Sequence, residues 1–207
     1  MEIMSIEYGK SVLSEKMIFM NGNPNYLREI VFMVYLIKTD EKLILVDAGC
    51  ETMPGFDMRE FIGTVKALEN TGISPEEITD VIITHSHHDH IECVKYFKNA
   101  VIHIQKDEYE SGNRYFPDGF NVYIFENELV VCENIKVIKI GGHSKGSCIV
   151  EITNDDKIYV IAGDECYLRE CLTKKIPIGS SYNQKVSKDF VEKYSDNRYI
   201  VLMCHDK

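Results

Sequence analysis

The residues numbered 80–90 constrain this chain more than any other segment. An apolar run at 81–83 leads through Thr84 into His-Ser-His-His-Asp-His, so four of the seven histidines lie within six residues. On an extended segment, the side chains of His85 and His87 point to the same side, and Asp89 and His90 turn back where the next helix begins. One short loop therefore presents two pairs of candidate metal ligands.

Three further polar residues each follow a predicted strand. His143 lies in a turn with three glycines at 141–147, Asp164 follows the run 160–163, and His205 follows the last strand. Each of them alone is equally well explained as a polar residue that caps a turn. Together with the histidine loop they form a set of imidazole and carboxylate groups, which suits zinc, iron or manganese.

The composition is that of an acidic globular protein. The 207 residues include 23 Lys and Arg against 33 Asp and Glu, giving a formal charge of −10. This length predicts a single domain over 1–207. The acidic balance argues against nucleic acid as a partner, and no apolar stretch is long enough to predict a membrane span. Seven scattered cysteines without a C-x-x-C pair favour reduced thiols and a cytoplasmic location.

Strands dominate the predicted secondary structure. Alternating and continuous apolar runs predict a hairpin from strands at 30–37 and 42–47, two more hairpins at 120–132 and 148–162, and single strands at 135–140 and 199–203. Helix start and stop signals predict a helix at about 58–71, a short turn at 74–77 and a late helix from Ser187. Strands that alternate with helices, without a linker or repeat, predict an α/β domain with layered sheets.

The pattern His-x-His-x-Asp-His at 85–90, Gly-His at 142–143, Gly-Asp at 163–164 and a final His205 resembles the metallo-β-lactamase superfamily of metal-dependent hydrolases. The resemblance runs from 45–49 to His205. It implies a four-layer αβ/βα sandwich, the metallo-β-lactamase fold, with the metal site at one edge of the two sheets.

The resemblance also implies the ligand set, position by position. One metal belongs to His85, His87 and His143, the second to Asp89, His90 and His205, and Asp164 bridges both. Asp47 matches an acid that orients the ligand loops through hydrogen bonds. His88 has no counterpart and is interpreted as an exposed spacer, and His103 as a strand residue.

Within the superfamily the chain is most similar to the N-acyl homoserine lactonases. Tyr167 lies three residues after Asp164, as in those enzymes, and 104–110 resembles a segment of that subgroup. The implied activity is opening of an ester or lactone by a metal-bridging hydroxide, with Asp89 as proton shuttle and Tyr167 as hydrogen-bond donor to the oxyanion. Two divalent ions are implied, with zinc expected and iron, manganese or cobalt as alternatives. The substrate is a small molecule.

Two alternative functions remain open from the sequence. The loops after Gly49 and Ser111 are shorter than the lactonase pattern, and the glyoxalase II-like thioesterases share the histidine motif, so an acyl thioester is the second substrate class. The non-enzymatic alternative is a metal-binding or redox-sensing module that uses Cys166 and Cys204. The apolar segment 11–28 fits either a core strand pair or a homodimer surface.

Overall fold

The computed structural model describes every residue from Met1 to Lys207 and contains two compact units. The first unit comprises Met1–Lys10 and Phe32–Glu126, and the second comprises Ser11–Val31 and Asn127–Lys207. The strands are β1 (Glu2–Ser14), β2 (Leu27–Lys38), β3 (Leu43–Val46), β4 (Asp80–Ile83), β5 (Val101–Gln105), β6 (Asn121–Phe125), β7 (Glu128–Cys132), β8 (Ile135–Lys139), β9 (Cys148–Asn154), β10 (Lys157–Ile161) and β11 (Tyr199–Leu202). The α-helices are α1 (Glu15–Ile18), α2 (Thr64–Glu69), α3 (His88–Ile91), α4 (Lys106–Gly112), α5 (Arg169–Thr173) and α6 (Gln184–Tyr194).

The six-stranded sheet has the order β1-β2-β3-β4-β5-β6. β2 and β3 pair antiparallel, which confirms the predicted hairpin at 30–47, and β3 to β6 are parallel. β4 is buried along its whole length, as expected for a continuous apolar strand in the middle of a parallel sheet. The carboxyl ends of β3 and β4 lie side by side, so Asp47 and Thr84, which follow them, are neighbours.

The five-stranded sheet has the order β11-β10-β9-β8-β7. β9 and β10 form the predicted hairpin at 148–162, and β8 and β11 confirm the strands predicted at 135–140 and 199–203. β10 and β11 are parallel, with Ile161 opposite Leu202. Asp164 and His205 each lie three residues beyond this pair, so the register brings them to the same edge of the sheet.

The predicted hairpin at 120–132 is wrong, although both of its strands exist. β6 pairs in parallel with β5, whereas β7 pairs antiparallel with β8, in the other sheet. Two adjacent strands with a polar break between them have the same local pattern whether they pair with each other or with different partners. The partner is decided by contacts distant in sequence.

The helix predicted at 58–71 forms only from Thr64 to Glu69. Gly63 before it has φ of 77°, a left-handed conformation that cannot continue a helix, and the backbone of Arg59 pairs with that of Lys10. The short turn predicted at 74–77 is a 3₁₀ helix over Pro75–Glu77 with a capping box. The late helix begins at Gln184, capped by the side chain of Asn183.

No helix is both long and apolar enough to cross a membrane.

Candidate metal centre

His85 and His87 lie where β4 ends in the first unit. His85 Nε2 and His87 Nδ1 are 3.0 Å apart, and the two rings meet edge to face with centroids 4.6 Å apart. Thr84 Oγ1 lies 3.2 Å from the other nitrogen of His85. The strand end therefore turns one nitrogen of each ring toward the same point, as the spacing of two residues predicted.

Asp47 holds this loop to the neighbouring strand. Its Oδ1 accepts a hydrogen bond from the Thr84 backbone N–H at 2.7 Å, and its Oδ2 lies 2.9 Å from Thr84 Oγ1 and 2.7 Å from His90 Nδ1. The carboxylate is fully buried. Because a carboxylate only accepts, His90 carries a proton on Nδ1, and Nε2 is the nitrogen that could bind a metal.

Asp89 and His90 belong to the short helix α3, as expected for residues that turn back after the histidine loop. His90 Nε2 lies 3.5 Å from Asp89 Oδ2. The hydroxyl of Tyr8, a buried residue of β1, donates to the Asp89 carbonyl at 2.7 Å. Glu108 Oε2 accepts hydrogen bonds from both the backbone N–H and the hydroxyl of Ser86 at 2.8 Å.

His88 is not the exposed spacer that the sequence suggested. It is half-buried, and its ring nitrogens lie 3.1 Å from Tyr115 Oη and 2.8 Å from the Thr52 carbonyl oxygen. His88 thus links two loops of the first unit. His103, in contrast, lies in β5 as predicted.

In the second unit, Asp164 lies between two histidines. Its Oδ1 is 3.1 Å from His205 Nε2, and its Oδ2 is 3.4 Å from His143 Nε2. All three side chains are buried. Asp164 thus presents a different oxygen to each of two histidine nitrogens.

The second nitrogen of each of these rings is bonded to a backbone carbonyl. His143 Nδ1 lies 2.9 Å from the Ser180 oxygen, and His205 Nδ1 lies 2.8 Å from the Val31 oxygen. A carbonyl only accepts, so both rings are protonated at Nδ1 and present Nε2 toward Asp164. Orientation of this kind is typical of histidines that bind metals.

Tyr167 packs against the same histidines. Its ring stacks on His205 with centroids 5.3 Å apart and meets His143 edge to face at 6.0 Å. Its hydroxyl is 3.0 Å from Ser180 Oγ. The side chain is buried at 5% exposure, so its packing is fixed by contacts on both faces.

Glu165, next to Asp164, is completely buried. Burial raises the pKa of Glu165 to about 7, even though hydrogen bonds from Ser147, His143 and Gly142 act in the opposite direction and lower it. Cys166 is also buried, and burial raises the pKa of its thiol well above the usual value. A buried thiol with a raised pKa is poorly reactive, and Cys204 is equally buried. This does not favour a redox-sensing module.

The donor atoms of both units fit a divalent cation. In the first unit they are nitrogens of His85, His87 and His90 and oxygens of Asp89, and in the second unit nitrogens of His143 and His205 and oxygens of Asp164. Nitrogen and oxygen donors of this kind bind zinc, iron and manganese. At least one histidine in each unit has its other ring nitrogen fixed by an acceptor.

The sequence profile of the metallo-beta-lactamase superfamily matches residues 33–193. The chain belongs to the metallo-β-lactamase superfamily. Among its relatives, the protein called "Probable metallo-hydrolase" of Methanocaldococcus jannaschii is 31% identical over 79% of this chain and 70% of its own length. The N-acyl homoserine lactonase of Agrobacterium fabrum is 32% identical, over 87% of this chain and 81% of its own, and that of Bacillus cereus 24%, over 96% and 90%.

Solved structures confirm the fold. An N-acyl homoserine lactone hydrolase with bound N-hexanoyl-L-homoserine superposes with a TM-score of 0.84 and 20% identity, over 99% of this chain and 92% of that chain. The predicted metallo-β-lactamase fold, with two mixed sheets and helices, is therefore confirmed. As a member of this superfamily with lactonase relatives, the chain is a metal-dependent hydrolase.

The structure of this superfamily member brings the predicted site residues together within each unit. Asp47, His85, His87, Asp89 and His90 meet in the first unit. His143, Asp164, Tyr167 and His205 meet in the second. The sequence did not indicate the residues that hold these ligands in place, which are Tyr8, Val31, Glu108, Glu165 and Ser180. Tyr8, Glu108 and Glu165 act through side chains to which the sequence pattern assigned no role. Val31 and Ser180 act through backbone carbonyls, which every residue type carries.

Proposed function

We propose that this hydrolase binds two divalent metal ions and opens an ester or a lactone, with an N-acyl homoserine lactone as the substrate class. The proposed ligands are His85, His87 and His143 for one ion and Asp89, His90 and His205 for the other, with Asp164 shared. The observation that carries the proposal is the position of Asp164, whose two oxygens each lie beside the Nε2 of a different histidine.

The residues of the chain have distinct roles in this proposal. When bound, the two ions would lower the pKa of a coordinated water towards about 7 and act as a Lewis acid for the carbonyl. Asp47 and the carbonyls of Val31 and Ser180 orient ligand rings. Asp89 would accept the proton lost by the attacking water and return it to the leaving oxygen of the ester or lactone, and the Tyr167 hydroxyl would donate a hydrogen bond to the carbonyl oxygen on which charge develops.

The relatives support a lactone as substrate. Lactonases from three sources are between 22% and 32% identical to this chain, and each alignment covers at least four-fifths of the lactonase. Zinc is the ion we propose, because tetrahedral or five-coordinate sites with histidine and carboxylate ligands are typical of zinc hydrolases. We also retain the single domain over 1–207 and a homodimer as proposals.

Metal content and substrate turnover test the proposal together. The purified protein is analysed for zinc, iron, manganese and cobalt, and is then assayed with N-hexanoyl homoserine lactone, an acyl thioester and an aryl ester. We expect two equivalents of metal and turnover of the lactone. Asp164→Ala and His85→Ala remove proposed ligands, so each is expected to lose metal and roughly 100-fold or more of the activity. Asp40→Ala, at an exposed position, is the control.

Each other outcome contradicts a defined part of the proposal. Two metals with turnover of the thioester alone replace the lactone by the second substrate class. One metal per chain contradicts the dinuclear site. Full activity in Asp164→Ala contradicts the role of Asp164.

A further inference from the structure

The turn that carries His143 is held on one side by a single buried carboxylate. Glu165 Oε1 accepts hydrogen bonds from the backbone N–H groups of Gly142 and His143, at 3.0 and 3.1 Å, and from the hydroxyl of Ser147 at 2.5 Å. Glu165 and Ser147 are both buried. Three donors from one loop thus converge on one oxygen atom.

The opposite side of the same dipeptide is bonded to the segment before α6. The Asn183 N–H and the Ser181 hydroxyl donate to the Gly142 carbonyl at 3.0 and 2.9 Å, and the Tyr182 N–H donates to the His143 carbonyl at 3.1 Å. Every backbone polar group of Gly142 and His143 therefore has a partner. With His143 Nδ1 bonded to the Ser180 carbonyl, Nε2 is the ring nitrogen left for a ligand role.

Gly142 shows how closely the carboxylate approaches. A Cβ atom at this position would lie 2.2 Å from Glu165 Oε2 and 2.8 Å from Ser187 Oγ, which is too short for any side chain. Only a glycine before His143 lets the carboxylate reach both N–H groups. The loop and Glu165 are therefore fitted to each other.

We infer that Glu165 is a positioning residue for the metal ligand His143, acting through the backbone of the 142–147 turn and with Ser147 as its second contact. This inference rests on the proposed function, which makes His143 a ligand. Glu165 itself does not need to touch metal or substrate. Removal of a group that orients a metal-binding histidine lowers metal affinity by about 10- to 100-fold.

The test compares three substitutions in the full-length chain. Glu165→Leu removes the acceptor, Glu165→Gln keeps an acceptor oxygen without the charge, and Ser147→Ala removes one of the three donors. The control is Glu151→Leu in the same unit, where a carboxylate on β9 accepts from the Tyr194 hydroxyl at 2.7 Å. All four changes remove or weaken a hydrogen bond to a carboxylate, but only the first three involve the turn that carries His143.

Zinc affinity is the first measurement, made by competition with a chromophoric chelator. For one zinc equivalent we expect Glu165→Leu to bind about 10- to 100-fold more weakly than the wild type. Glu165→Gln is expected to lose less than about tenfold, because a neutral acceptor is weaker than a charged one but still holds the turn. Ser147→Ala is expected to weaken binding in the same direction by a smaller factor, and Glu151→Leu to bind as the wild type does.

The second measurement does not depend on metal. Nitrogen-15 spectra of the histidine rings, recorded after chelation, report which ring nitrogen of His143 carries the proton, with the signal assigned by its loss in His143→Asn. The wild type is expected to show the Nδ1–H form, and Glu165→Leu a mixture of both forms. Glu165→Gln should restore the Nδ1–H form, which a general loss of stability would not predict.

The outcomes separate this inference from the proposed function. A wild type that binds no zinc contradicts the proposed function, whereas the ring spectra of the variants still test the role of Glu165. Zinc affinity and ring spectra unchanged in both Glu165→Leu and Ser147→Ala overturn the inference. Equal losses of affinity in Glu165→Leu and Glu151→Leu also overturn it, and if Glu165→Leu does not fold, Glu165→Gln and Ser147→Ala decide the question.

Discussion

At the scale of single residues, the site depends on which nitrogen of each histidine is occupied. His90, His143 and His205 all bond Nδ1 to an oxygen that can only accept. Each ring, when neutral, is thereby held as the Nδ1–H tautomer and in one orientation before any ion binds. Metal affinity should therefore be sensitive to residues that never touch the ion.

Asp47→Asn tests this sensitivity in the first unit. Asp47 has φ of 63°, a conformation that asparagine also adopts, so the backbone is retained. An amide cannot accept from both Thr84 and His90 as the carboxylate does, so we expect zinc affinity to fall by about 10- to 100-fold. Chelator competition measures the affinity, with Asp40→Asn as the exposed control. Wild-type affinity in Asp47→Asn would refute the orienting role.

Tyr167→Phe separates substrate contact from packing. The phenylalanine ring keeps the stacking on His205 and loses only the hydroxyl bonded to Ser180. If the hydroxyl donates to the developing oxyanion, kcat for the lactone falls by roughly 100-fold while metal content is unchanged. Steady-state kinetics and metal analysis are compared with Tyr199→Phe. An unchanged kcat would mean that Tyr167 has only a packing role.

At the scale of elements, β4 has a cluster of charged and polar side chains at its amino end and the candidate ligand His85 just beyond its carboxyl end. Asp80, the first residue of β4, lies 2.8 Å from Lys42 Nζ, His103 Nε2 and Thr79 Oγ1. Lys42 immediately precedes β3 and His103 lies in β5, so the cluster joins three neighbouring strands. His85 follows the other end of β4.

The acid stability of this cluster can be predicted. Burial raises the pKa of Asp80, but hydrogen bonds from His103, Lys42 and Thr79 outweigh it and lower the pKa from 3.8 to about 2. A folded-state pKa below the unfolded value stabilises the fold above pH 4, and this stabilisation, about 2 kcal/mol, is lost as the pH falls from 4 to 2.

Urea unfolding of chelator-treated protein measures the effect. Relative to the wild type, we expect Asp80→Asn to lower the unfolding free energy by about 2 kcal/mol at pH 6, with a smaller difference below pH 4. Asp40→Asn serves as the exposed comparison. A difference between Asp80→Asn and wild type that stays constant from pH 6 to pH 3 would contradict the assigned pKa.

At the scale of the whole molecule, bound metal should stabilise the folded chain. An ion at 100 times its dissociation constant adds about 2.7 kcal/mol of stability, which for a protein of this length corresponds to roughly 5 to 10 °C in Tm. Addition of a chelator is therefore expected to lower Tm by this amount. Asp164→Ala lacks the ligand that we propose both ions share, so its Tm is expected not to change when the chelator is added. An equal response in both proteins would indicate metal binding elsewhere.

The sequence determined the family, the candidate ligands and most of the strands, because these depend on residue type and local order. Histidines at 85, 87 and 90 follow an apolar strand, and a parallel strand brings its end residue to a fixed sheet edge. The sequence shows that residues 63 and 142 are glycines. It does not show that Gly63 has a positive φ or that Gly142 lies close to the Glu165 carboxylate.

Only the tertiary structure decided which groups support the candidate ligands. β6 and β7 pair with strands of different sheets, and the ring of His205 is oriented by the carbonyl of Val31, 174 positions away. Glu165 follows β10, whereas the turn at 142–147 precedes β9, and the β9–β10 hairpin brings the two together. Such contacts depend on packing between segments that are distant in sequence. A backbone carbonyl or a glutamate outside a known motif has no local sequence pattern that predicts its partner.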